Sequence, residues 1–195
     1  YEPYRNFPST YFANEEAEQQ ELNDFIVKVS KIIPEPKVKK NKILLVDHLF
    51  EAYKDPHIVY YELNKEKNSL EFIVKEMITK CAPISLTELE LIVKENTREI
   101  VKKLEKHKEI VVEDSFVYLP KQKVQFRRVN RDEEYYRPLE YVSNKELYNA
   151  VFQIVNYCNN IKKDTVIKMV LLSLGYKKIN DFLYSYIENA IAFLL

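Results

Sequence analysis

KCAPISLTEL, residues 80 to 89, and YCNNIKKDTV, residues 157 to 166, share one pattern: a cysteine, an isoleucine three residues on, and a polar segment leading into an apolar helical period. If Cys81 and Cys158 are a chemical pair, the chain holds a reactive site. If they are one structural position used twice, it is a tandem module. Sliding the sequence on itself by 77 residues places Leu70 on Leu147, Val74 on Val151, Met77 on Ile154, Ile78 on Val155 and Ile84 on Ile161. The apolar spacing of a helix and its exit is repeated, so the two cysteines read as small apolar side chains ending equivalent helices.

Working outward, Asn68 with Glu71, Ser85 with Glu88, and Asn96 with Glu99 each have the spacing of a capping box, in which a polar cap and an acid three residues on satisfy each other's backbone donors. They predict helices over about 69–81, 86–94 and 97–108. EIVVEDSFVYLP then gives two β-branched and aromatic runs around Glu113-Asp114-Ser115, the mark of a hairpin. Three short helices followed by a hairpin is the order of a winged helix, whose third helix reads nucleic acid. In the copy, Ser143 with Glu146 supplies a further box, a second helix over about 163–174 ends at Gly175, and Asn180 caps a third. No wing follows the third helix, and the apolar period still runs at Leu195, as expected of a piece of a longer protein.

Ahead of the repeat, residues 1 to 13 read as an extended lead-in. Asn14 caps an amphipathic helix that carries Leu22, Phe25, Ile26, Val29, Ile32 and Ile33 up to Pro34. A second helix carries Ile43, Val46, Leu49, Phe50 and Tyr53 on one face and ends at Asp55-Pro56, and IVYYEL, residues 58 to 63, reads as a strand. The expected class is therefore α+β and mainly helical: tandem winged-helix units preceded by a helical segment. The expected divisions are a lead-in over 1–67, a first winged helix over 68–120, a basic connector over 121–142 and a second unit over 143–195.

Composition narrows the function. The formal net charge is zero, so any hold on nucleic acid must come from a local patch. Gly175 is the only glycine, which rules out the glycine-rich phosphate loops of nucleotide-binding motors and dinucleotide enzymes. His48, His57 and His107 lack a second ligand at metal spacing, and His48 beside Asp47 and Glu51 reads as a surface cluster. No apolar run is long enough to span a bilayer, the two cysteines do not form a disulfide framework, and a cytoplasmic setting is expected. The fifteen tyrosines fit packing positions. No cofactor, metal, small-molecule substrate or catalytic residue is expected.

Two basic stretches remain. On the helix over 97–108, Ile100, Val101 and Leu104 face inward, leaving Arg98, Lys102 and Lys106 outside among glutamates. These contact phosphate, or else form a solvated face laced with ion pairs. KQKVQFRRVNR, residues 121 to 131, holds Lys121, Lys123, Arg127, Arg128 and Arg131 without an acid, with Phe126 available to stack on a base. Its alternative is a connector kept soluble by charge. The third helix of the copy carries Asp181 and Glu188 outside, which suits a protein surface better than phosphate.

The exit KCAPIS, the stretch FVYLPKQKVQFRRVNRDEEYYRPLEYVSNKEL and the segment LLSLGYKK together resemble the C-terminal region of large prokaryotic superfamily 1 helicase-like proteins, over roughly residues 68 to 195. Where that family has Glu-Gly-Pro-Ile, this chain has Cys81-Ala82-Pro83-Ile84. Where the family has Gly-Phe and then an arginine, this chain has Gly175-Tyr176-Lys177-Lys178. The resemblance implies a non-catalytic accessory region that positions DNA or RNA for an ATP-driven motor outside the chain, with Lys177 and Lys178 joining the contact set. The competing expectation is a module that docks on the parent helicase or on a partner protein.

Overall fold

The computed structural model describes residues 46–94, 96–130, 135–158 and 161–192. The lead-in, the helix expected over 14–33 and the start of the one expected from Ile43 lie outside them. The described residues form an α+β, mainly helical protein that divides into two compact units, one spanning Glu51–Glu146 and the other taking Leu147 onward with the residues before Glu51.

Two departures from expectation lie between Val46 and Lys65. A 3-10 turn over Val46–Leu49 gives way to the short strand β1 (Glu51–Ala52), in place of the continuous helix expected through Tyr53. The strand is stabilised from far along the chain. β1 pairs in parallel with β5 (Arg127–Arg128), flanked by hydrogen bonds from Glu51 N–H to the Phe126 carbonyl (3.2 Å) and Tyr53 N–H to the Arg128 carbonyl (2.8 Å). The run expected as a strand is instead α1 (Pro56–Lys65), because Asp55-Pro56 starts a helix here. The Asp55 carboxylate accepts the His57 N–H at 2.8 Å, and proline at the first helical position loses no needed donor. Pro56, Val59 and Leu63 then fall on one buried face.

The helices α2 (Leu70–Cys81), α3 (Leu86–Val93) and α4 (Thr97–Lys106) follow, within two residues of the expected ends. Their caps differ from the expected boxes. Ser69 caps α2 by accepting from Phe72 N–H (3.3 Å), while Asn68 turns back to donate to the Leu63 carbonyl. Ser85 and Asn96 hold the cap positions of α3 and α4 without a side-chain cap bond, Asn96 doing so in the left-handed region. After the cis Ala82–Pro83 peptide comes β2 (Ile84–Ser85), which pairs antiparallel with β4 (Phe116–Tyr118). β3 (Val111–Glu113) lies on the other side of β4, giving the order β2-β4-β3. Asp114 and Ser115 both have positive φ (47° and 64°), the two-residue turn that matches strand twist in a hairpin.

The core of this unit joins Val59 and Leu63 of α1 with Ile73, Val74, Met77, Ile78 and Cys81 of α2, Leu89 and Ile92 of α3, Val101 and Leu104 of α4, and Val117 of the hairpin. Burial pushes the Cys81 thiol up to about 11, so it stays a neutral packing group.

The second unit takes up α5 (Asn144–Cys158) from Leu147, followed by the buried Ile161, then α6 (Lys163–Ser173) and α7 (Asp181–Ile191). α6 ends in a Schellman motif: Gly175, at φ 91°, donates to the Leu172 carbonyl and Tyr176 N–H to that of Leu171. Asn180 caps α7 by accepting from Leu183 N–H at 2.9 Å. Tyr184 donates to Asp164, and Lys163 pairs with Glu188 at 2.6 Å, tying α7 to α6. No described helix is long and apolar enough to cross a membrane.

Candidate nucleic-acid interface

Helix α4 buries Thr97, Val101 and Leu104, a spacing of four and three residues that commits one face to the core. Arg98, Lys102 and Lys106 are exposed on the opposite side, together with Glu105. The three cations differ in company. Arg98 gives Nε and Nη2 to the two carboxylate oxygens of Glu90, which stands on the last turn of α3. Lys102 and Lys106 have no carboxylate partner among the described residues. On the flank, Lys103 reaches both oxygens of Glu71 at 2.8 Å, and Lys75 pairs with Glu109.

The stretch 121–131 divides sharply. Lys121 and Lys123 are exposed in the loop after β4. Phe126 is fully buried and so cannot stack on a base. Arg127 is buried too, and its guanidinium is taken up inside the fold: Nε donates to Glu146 (3.0 Å), Nη1 to the Cys81 carbonyl (2.5 Å) and Nη2 to the Pro83 carbonyl (2.6 Å). Arg128 is half-buried with Nη1 at 3.5 Å from the Val129 carbonyl. Arg131 lies outside the described residues. Lys177 and Lys178 are exposed between Gly175 and α7, in the second unit.

The inward turn of Arg127 exposes a cluster that sequence reasoning missed. Glu146, in the first turn of α5, is completely buried and receives Arg137 Nη1 (2.7 Å) and Nη2 (2.8 Å) as well as Arg127 Nε. Its carboxylate also accepts from Ser143 N–H and Oγ (3.4 Å each), while Ser143 Oγ accepts from Glu146 N–H (3.3 Å), so the expected capping box forms here. Burial alone would raise the Glu146 carboxyl, but the charges and hydrogen bonds of the two arginines outweigh it and hold it below its usual range. The Tyr53 ring lies 4.6 Å from the Arg137 guanidinium and 5.5 Å from that of Arg127, and stacks on Tyr135. Its hydroxyl donates to buried Glu88 at 3.2 Å. Burial pushes Glu88 up to about 7 against the opposing pull of Arg137. In the sequence this cluster showed only as the Ser143-Glu146 and Ser85-Glu88 spacings and as Arg127, read there as a phosphate contact.

Among the described residues, no three of His, Cys, Asp and Glu gather as a metal site. Comparison of the chain with protein-family models, with curated proteins and with solved structures finds no match.

Proposed function

We propose that residues 51–146 form a winged-helix module that holds duplex DNA through the outer face of α4, as an accessory to a helicase-like motor outside this chain. The observation that carries this reading is the pair Lys102 and Lys106, exposed one turn apart on the third helix of a helix-strand-helix-helix-hairpin order, with no carboxylate on either among the described residues. A helix of this kind fits the major groove of B-form DNA, whereas the deep, narrow groove of A-form RNA excludes it. Lys121 and Lys123 are the further cations that could reach the backbone. The hairpin tip carries Glu113 and Asp114, so contact would fall on the helix and not on the turn. The resemblance of residues 68–195 to helicase C-terminal regions supports the accessory role.

The test is titration of the full chain into a labelled mixed-sequence duplex at several salt concentrations. Each phosphate neutralised contributes about 0.9 to the slope of log affinity against log salt, so replacing Lys102 and Lys106 together by alanine should weaken binding and flatten the slope by about 2.

A docking module for protein is the second reading, favoured by Ile58 and Tyr61, three residues apart on α1 and 59% and 62% exposed. Absence of salt-dependent binding at low salt would select it.

A further inference from the structure

We infer that Glu90 competes with backbone phosphate for Arg98 and so sets how tightly the α4 face holds duplex DNA, an inference that rests on the reading just given. Both oxygens of Glu90 are engaged by the side-on fork of Arg98, Nη2 at 3.2 Å from Oε2. That fork is the geometry by which a guanidinium takes two oxygens of a phosphate. The carboxylate therefore occupies the place a phosphate would take.

The pair is a surface one, with the Arg98 side chain 72% exposed and that of Glu90 24% exposed. Exposed pairs of this kind hold weakly, so an incoming phosphate can exchange for the carboxylate. The exchange still opposes binding, because the displaced Glu90 keeps its negative charge beside the new anion. Lys102 and Lys106 carry no such competitor among the described residues. Arg98 is thus held in reserve at the first turn of α4, while the two lysines provide the standing attraction.

Charge-neutral replacements separate these roles, measured on the full chain with the same labelled duplex. Glu90→Gln should tighten binding at low salt by about three- to five-fold, the scale of an exposed ion pair, and steepen the salt slope by about 0.9 as Arg98 joins the contact set. Arg98→Gln alone should weaken binding modestly, because it leaves the Glu90 carboxylate unpaired beside the phosphate, and the double variant should return to near the parent affinity. Thermal melting should be unchanged in all three, since neither side chain is in the core. If Glu90→Gln leaves affinity and slope unmoved, or weakens binding, while the Lys102 and Lys106 replacement still flattens the slope, the competition is refuted and the DNA reading stands. The competition is equally refuted if Arg98→Gln weakens binding as strongly as loss of the lysines. If neither the parent chain nor Glu90→Gln binds with a salt slope, the DNA reading itself fails and takes this inference with it.

Discussion

Two carboxylates and two guanidinium groups share the interior around Tyr53, and the donors are divided unequally. Among the described residues, Glu146 takes three guanidinium bonds, whereas Glu88 receives one bond from the Tyr53 hydroxyl. A buried carboxylate with so few donors is costly to ionise, which is why burial pushes Glu88 from 4.5 to about 7. A folded-state value above the unfolded one means the folded chain binds this proton more tightly. The resulting stabilisation is fully present below about pH 4.5 and is lost as pH rises through about 7. Between about pH 5 and about pH 8 the parent chain is expected to lose about 2 kcal/mol relative to Glu88→Gln, read by urea unfolding of both proteins at the two pH values. Parallel pH profiles would rule Glu88 out as the source. The sequence marks Glu88 only as the acid of a capping box with Ser85. Its turn toward Tyr53, 35 residues away, depends on a strand whose partner lies further still, and local spacing carries no such information.

At the scale of elements, much of the local chemistry was legible, although the capping boxes expected at Asn68, Ser85 and Asn96 do not form. Helices α2, α3 and α4, the hairpin, the glycine that ends α6 and the Asn180 cap of α7 all follow from residues within a few positions. The IVYYEL segment misleads because its β-branched and aromatic content outweighs a nearer signal. Asp55-Pro56 resembles a stop, yet aspartate followed by proline is a start, and the helical spacing of Val59 and Leu63 agrees with it. The hairpin turn leaves room for improvement. Ser115 holds φ 64° with a Cβ in a region where glycine is favoured at the second turn position. Ser115→Gly is expected to raise stability by about 0.5–1 kcal/mol, measured by thermal melting, and a loss would show that the serine side chain supports the turn.

For the whole molecule, most of the apolar positions aligned by the 77-residue shift match in burial, although Leu70 is half-buried where Leu147 is fully buried. Val74 and Val151, Met77 and Ile154, Ile78 and Val155, and Ile84 and Ile161 are buried in both copies, and Cys158 is half-buried where Cys81 is buried. The candidate interface was half legible: α4 presents its cations as its period requires, but composition alone misleads for the stretch 121–131, because an acid-free run says nothing about a glutamate at 146. The cluster at Glu146 also decides where the chain can be cut. A fragment of residues 51–158 is expected to unfold cooperatively in urea, whereas one of residues 51–142 strands two buried guanidinium groups, a loss on the order of 3–5 kcal/mol. Equal unfolding midpoints would show that the cluster is dispensable. The same arrangement imposes an order in time. As the chain leaves the ribosome from its N-terminal end, both arginines emerge before their shared carboxylate, so the first unit can be fastened only once residue 146 has followed them out.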